Sequence, residues 1–429
     1  MLSVFIVFFI IVAIGVPIAY SIGLAGMFGL FIAGGTSFFT IISTRLLAAV
    51  SDFILISIPL FILTSEFLNR SGMTEKIVNF ALSFIGRFRG GLSHVNIGAS
   101  ILFAGLTGTA VTDTAAIGNI LIPAMKKRGY GAAYSAAVTA SSSVIGPIIP
   151  PSLIMIVYAS MFKEVSVISM FAAGIIPGLI IGLSLLAIST FVSMKRNYPK
   201  EKHFTWKQRW AATKDAIWAL LTPLIILGAI LSGVTTITEA GALAALYAFL
   251  VGVFVYKNLG FKEIYDSLKN SVILSGVVFF LIGSANILGW VVTYSGLTKT
   301  LGNAMLNFSE SHIIQLLMVN ILFLLVGMFL DIGPAVVLLA PIVTPVMVQL
   351  GFDPLHFAMI MMVNVNIGNA TPPMGMTLMV ASQIARVPYE KAIKEVAPFI
   401  AAEIGALLLI SYLPELTLWI PRILGLSWG

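Results

Sequence analysis

Residues 105–123 read GLTGTAVTDTAAIGNILIP and residues 141–152 read SSSVIGPIIPPS, two polar, Gly- and Pro-rich interruptions set into apolar sequence. The pattern returns as GMFLDIGPAVVLLAP at 327–341 and NIGNATPPMG at 366–375. Asp113 matches Asp331 and Pro123 matches Pro341, both at an offset of 218. Gly129 matches Gly351, and Pro150 and Pro151 match Pro372 and Pro373, at an offset of 222, so the repeat is expected to carry a four-residue insertion. A weaker likeness extends upstream, from Gly72 and Thr74 to Gly296 and Thr298. Breaks that recur in the two halves of a membrane chain point to a binding site near mid-membrane.

Composition places the chain in the membrane. Of 429 residues 59% are hydrophobic and only 10% charged, with a mean hydropathy of +1.05, so an all-α polytopic membrane protein is expected. The net charge of +7 does not indicate nucleic-acid binding, because the basic residues fall in short segments between apolar runs, as membrane orientation requires. Cysteine is absent, which excludes disulfides and thiolate metal sites. His94, His203, His312 and His356 are far apart and show no transition-metal ligand spacing. The sequence has neither a nucleotide-binding GxxxxGK[ST] loop nor a GxSxG elbow, so no nucleotide and no enzymatic activity is expected. The N-terminal run MLSVFIVFFIIVAIGVPIAY, lacking a basic start, reads as the first membrane helix, over about 3–21.

Segments 92–125 and 311–350 are each too long for one crossing and are broken at their centres. Two re-entrant helical hairpins fit them; two full crossings apiece would leave the polar tips at a surface. With the N-terminus outside, every lysine and arginine except Arg45, Lys163, Lys299 and Arg422 falls on the cytoplasmic side. The first hairpin then opens from the cytoplasm and the second from outside, an inverted-topology repeat suited to alternating access. The expected organisation is as follows: first scaffold helices, 1–72; an amphipathic connector, 73–91; a first transport repeat of hairpin plus broken helix, 92–162; and scaffold helices, 163–310, with a basic cytoplasmic connector at 195–215. A second transport repeat, 311–386, and a C-terminal membrane helix, 387–429, complete it.

The interruptions have the chemistry of ion sites. Free carbonyls at the first tip, with the hydroxyls of Thr107, Thr109 and Thr112, suit a small hard cation such as sodium, whereas free amides favour an anion. Asp113 either caps the second arm or contributes charge to the site. Pro147, Pro150 and Pro151 remove helical hydrogen bonds beside Ser141, Ser142 and Ser143, hydroxyls that can serve an ion or bond back to the preceding turn. The second copy supplies Asn364, Asn366, Asn369 and Thr371 instead, and the offset of 222 sets Asn364 on Ser142. Glu66, Glu239 and Glu403 lie within apolar runs, each either a scaffold contact or a transport group. Gly174, Gly178 and Gly182 form a small-residue packing face.

At these motifs the sequence resembles, over essentially its whole length, the large membrane (M) subunit of tripartite ATP-independent periplasmic (TRAP) transporters. The resemblance implies an elevator-type, sodium-coupled symporter for organic acids, a multi-pass protein of the bacterial inner membrane with a periplasmic N-terminus. It implies two partners, a small four-helix membrane subunit (Q) and a periplasmic substrate-binding protein. It places sodium at Gly105, Thr107, Gly108, Thr109 and Asp113 with Ser141, Ser142, Ser143 and Gly146, and at Gly327 and Asp331 with Asn364, Asn366, Gly368 and Thr371. Thr109, Ser142, Ser143, Asn364 and Asn366 are the expected contacts of the substrate carboxylate, since no lysine or arginine falls inside an expected crossing. A single-component sodium/dicarboxylate symporter, a passive channel and a structural subunit are the alternatives.

Overall fold

The structure, a computed structural model, describes residues 1–105, 108–201 and 204–426. Among them the protein is helical throughout, apart from one isolated bridge between Arg89 and Lys200. Seven helical spans among the described residues are long and apolar enough to cross a membrane: Ile18–Val50, Phe53–Arg70, Val167–Lys195, Trp206–Leu231, Ile237–Val255, Phe261–Tyr294 and Ile332–Gln349. An eighth candidate, Tyr389–Tyr412 with Glu415–Ile423, is bent by 57°. Phe254, Val272, Leu224 and other large apolar side chains stand exposed on these helices, a surface that only lipid or another membrane chain can cover.

Two expectations near the N-terminus need correction. The run 3–21 is two elements, because Gly15 takes a positive φ of 92° and Pro17 begins the next helix. Leu2–Ala13, about 18 Å long at 1.5 Å per residue, is too short to span the hydrocarbon core. Arg45, expected to lie outside the crossings, sits on Thr40–Val50 within the Ile18–Val50 span. Farther along, the helix Trp206–Leu231 starts inside the expected connector 195–215, closed by a reciprocal capping box between Thr205 and Gln208.

The two halves correspond element by element. Helices start at Ala110 and Ile332, at Ala132 and Pro354, and at Val167 and Tyr389, every pair at the same offset of 222. Upstream, Met73–Ile85 and Leu297–Phe308 each follow a left-handed glycine, Gly72 and Gly296. One offset therefore serves from the tips onward, and the four-residue insertion is not there. Pro123 falls opposite Pro345, and Asp331 opposite Thr109, each the N-cap of its helix. A four-residue shift is about one helical turn and keeps the same face, so the sequence alone could not separate the two registers.

Each half contains a helix pair joined through a short tip, Gly91–Phe103 with Ala110–Lys127 and His312–Gly327 with Ile332–Gln349. Each pair packs with a broken helix, Ala132–Ser142 with Leu153–Met161 and Pro354–Ala370 with Met376–Ala385. The Pro150–Pro151 and Pro372–Pro373 bonds at the breaks are both cis. Behind the first break runs Val167–Lys195, and its glycine face is required. A Cβ on Gly174 would lie 2.4 Å from the Ile148 carbonyl oxygen, one on Gly178 2.2 Å from Ile149, and one on Gly182 2.7 Å from Ile101. Pro354–Ala370 is buried at every position after Pro354, so its polar groups must find partners inside the protein.

Candidate functional site

At the first tip the backbone of one element meets the break in the other. The Gly105 amide donates to the Gly146 carbonyl at 3.4 Å. Gly105 has φ of 77°, and a Cβ there would lie 2.5 Å from the Pro151 ring, so only glycine fits. Thr109 caps Ala110–Lys127, its hydroxyl accepting from the Thr112 amide at 3.2 Å. Asp113 is therefore not the cap: it lies one turn inside, with its own amide bonded to the Thr109 carbonyl at 3.1 Å. Its carboxylate is fully buried instead. Oδ2 accepts from the Ser100 hydroxyl at 3.1 Å, and Oδ1 has no partner among the described residues.

Asp113 anchors a chain of buried polar groups. Ser100 also reaches the Ser142 hydroxyl at 3.1 Å, Ser142 donates to Asn96 Oδ1 at 2.9 Å, and Asn96 donates to Thr139 at 2.6 Å. Ser143 bonds back to the Thr139 carbonyl at 2.8 Å, and Ser141 Oγ is left without a partner among the described residues. Buried polar atoms normally find partners, so the orphaned carboxylate oxygen beside hydroxyls and a broken helix is an acceptor left free. The predicted ligand Thr107 lies outside the described residues.

The second tip repeats the arrangement with amides. A Cβ on Gly327 would lie 2.7 Å from the Val365 carbonyl oxygen and one on Gly368 2.6 Å from the Gly327 Cα; these two glycines are the repeat partners of Gly105 and Gly146. Asp331 Oδ1 accepts from its own helix at Ile332 N, 2.9 Å, and from Asn369 Nδ2, 2.8 Å. Asn364 donates to Asn320 at 2.7 Å, and Asn320 donates to Ser411 at 3.2 Å. Asn366 and Thr371 bond back to the Met362 and Ile367 carbonyls. The side-chain oxygens of Asn364, Asn366 and Asn369 are all buried and unpartnered among the described residues.

Between the tips and the scaffold lies a cavity of about 350 Å³. Gly105, Gly108, Thr109, Thr112 and Asp331 line one side, and Ser65, Glu66 and Leu274 the other. Its lining includes two carboxylates, Glu66 and Asp331, and, among the described residues, no lysine or arginine. Glu66 is held from behind by Arg70 at 3.2 Å. Of the five expected substrate contacts Thr109 lines this cavity; Ser142, Ser143, Asn364 and Asn366 are fully buried behind the tips. Glu239 belongs to neither group, being the far half of a capping box with Thr236.

Sequence reasoning missed Asn96, Ser100, Thr139, Asn320 and Ser411. Asn96 and Asn320 were detectable: each lies in the first arm of its pair, and their numbers differ by 224, as do those of Gly72 and Gly296. Ser411 likewise matches Ser189 at the offset of 222 that relates their two helices, whereas Ser100 and Thr139 left no such trace.

A family model, the tripartite ATP-independent periplasmic transporter DctM component, matches residues 5–416. The chain is 36% identical over 362 residues to the sialic acid TRAP transporter permease protein SiaT of Haemophilus influenzae, covering 84% of this chain and 59% of that protein's length. It is 33% identical over 431 residues to the C4-dicarboxylate TRAP transporter large permease protein DctM of Vibrio cholerae, covering 96% and 95% of the two. Among solved structures the YdaH transporter of Alcanivorax borkumensis superposes with a TM-score of 0.61 over 92% of this chain and 91% of the other, at 15% identity, a likeness of fold alone.

Proposed function

Because this chain belongs to the DctM component family of tripartite ATP-independent periplasmic transporters, we propose that it is the sodium-coupled permease of an organic acid. In this reading the two helix pairs are re-entrant hairpins of an inverted repeat, and they move with their broken helices against the remaining helices as an elevator. A small four-helix membrane subunit enlarges the scaffold, and a soluble periplasmic protein delivers the acid. The assembly sits in the bacterial inner membrane, and its reaction is transport, not catalysis.

The observation that carries the reading is the charge of the cavity. A carboxylate entering it meets Glu66 and Asp331 and no basic residue among the described lining, and burying an uncompensated anion costs several kcal/mol. Two sodium ions would supply the missing charge, one among Asp113, Ser142 and the Gly105–Gly146 junction, the other among the orphaned carboxamide oxygens of Asn364, Asn366 and Asn369. Cation and anion then bind cooperatively, since each lowers the cost of the other. Thr109 and Thr112, with tip amides, are the neutral donors that face the substrate.

Proteoliposomes holding this chain with its small subunit, supplied with candidate binding proteins and an organic-acid panel, test the proposal. Accumulation against a gradient under inward sodium, abolished by potassium, is expected. Equal uptake in either salt would point to a channel, and accumulation without any binding protein to a single-component symporter.

A further inference from the structure

Glu403 takes no part in either tip. It lies near the middle of Tyr389–Tyr412, is 0% exposed, and neither carboxylate oxygen has a hydrogen-bond partner among the described residues. The helix matched to it by starting position, Val167–Lys195, carries Ile181 at the corresponding place in the repeat, also 0% exposed. An aliphatic side chain therefore satisfies the packing of this position in one half of the molecule, and the carboxyl of the other half is there for something besides packing.

No basic side chain is close at hand to pair with it. Four helices pack on Tyr389–Tyr412, namely Ala132–Ser142, Val167–Lys195, Pro354–Ala370 and Met376–Ala385. Their titratable groups are Tyr134, whose ring lies 5.9 Å from that of Phe399 one turn away, Lys195 at a helix end, and His356, which is bonded to Thr417 and the Ser411 carbonyl two turns away on the other side. On its own helix Tyr389, Glu390, Lys391, Lys394 and Glu395 lie at the start and Tyr412 at the end, Glu395 being paired with Arg196 at 2.7 Å. A cation here would need several oxygens around it, and no polar side chain is bonded to either Glu403 oxygen among the described residues. An ionised carboxylate in such a place is strongly disfavoured, whereas a carboxylic acid needs no counter-ion.

We propose that Glu403 is a proton-binding site on the helix that packs against both broken helices, holding one proton on its carboxyl in this conformation and exchanging it with water in another, so that uptake responds to pH as well as to sodium. The proposal rests on the transport reading, and its test has one arm that does not. Uptake by the full assembly, at saturating sodium across about pH 5.5 to 8, is expected to vary by about threefold or more in the wild type and to be nearly flat in Glu403→Gln. In the purified transporter an infrared carboxylic-acid C=O band, shifted in heavy water, is expected to be lost in Glu403→Gln and in Glu403→Ile, the latter copying the residue at 181. A wild type with no pH response, or a variant that keeps the wild-type profile or the wild-type band, overturns the proposal. Absent uptake in every protein, with the band lost as expected, would instead count against the transport reading.

Discussion

Gly327 and Gly368 meet backbone to backbone: a Cβ on Gly368 would lie 2.6 Å from the Gly327 Cα and 2.7 Å from its carbonyl carbon. The contact brings the second tip against the break in Pro354–Ala370, as the Gly105–Gly146 hydrogen bond does in the first half. Neither Gly327 nor Gly368 has a positive φ, so space alone forbids a side chain here. Gly368→Ala is therefore expected to destabilise by about 1–3 kcal/mol, the usual cost of overpacking, and to abolish sodium-driven uptake by prising the tip away. A thermal melt and an uptake assay on the same preparation check it; wild-type uptake would show that the close approach is dispensable.

Asp113 is expected to be worth more to sodium than to the fold. Its Oδ1 is unpartnered among the described residues and its Oδ2 has one hydroxyl donor, so the sodium-free protein leaves an acceptor that an ion would satisfy. Sodium at a hundredfold over its Kd should stabilise the wild type by about 2.7 kcal/mol. Asp113→Asn should weaken sodium by about tenfold or more, a loss of about 1.4 kcal/mol in binding. Sodium titration of the melting temperature is the measurement. A variant with the full sodium-dependent rise would remove Asp113 from the ion site.

How much of this was legible in the sequence follows from where each signal resides. The broken helices and the glycine steps are backbone features, and Gly and Pro announce them directly. Register was harder, because Asp113 and Asp331 look alike yet one lies a turn inside its helix and the other caps it. The tip clusters were half visible: Ser142 and Asn364 stood beside proline breaks, but Ser100 comes from another helix and meets Ser142 only through packing, and Ser411 reaches Asn364 only by way of Asn320. Exposure was invisible from the chain, so buried ligands such as Ser143 and Asn366 could not be told from cavity-lining ones such as Thr109.

Asn320 and Asn364 should act as one unit. Their side-chain bond of 2.7 Å is fully buried and leaves the Asn364 oxygen free, so in the proposed second sodium site Asn320 would be a positioning residue for that oxygen. Asn320→Ala and Asn364→Ala are each expected to raise the sodium concentration for half-maximal uptake. The double variant should be hardly worse than either single one, with a coupling of about 1 kcal/mol. Additive effects in that cycle would mean the two side chains work separately.

Thr236 and Glu239 offer a contrast within the scaffold. Thr236 Oγ1 accepts from the Glu239 amide at 3.3 Å, and Glu239 returns to the Thr236 amide at 2.7 Å. The pair closes the start of Ile237–Leu250 and is far in sequence from both tips. Thr236→Ala is expected to cost about 1 kcal/mol of stability while uptake per folded transporter stays at the wild-type level. A sodium-affinity change in that variant would give this helix end a role in transport.

Glu66 yields a prediction whose sign separates two roles. It lines the cavity beside the tips, is partly exposed, and is held by Arg70 at 3.2 Å and more loosely by Asn270 at 3.4 Å. If it is only a scaffold partner of Arg70, its negative charge opposes an incoming carboxylate, and Arg70 keeps Asp266 at 3.7 Å when Glu66 is neutralised. Glu66→Gln should then lower KM for the acid, by about 1 kcal/mol or roughly fivefold after allowance for solvent screening, with kcat little changed. Were Glu66 instead a cation ligand, the same substitution would raise both KM and the sodium requirement. The contrast should be sharpest at low ionic strength, because the repulsion between exposed charges is the part that salt screens; a KM that rises in Glu66→Gln at every salt concentration would move this carboxylate from the scaffold to the coupling machinery.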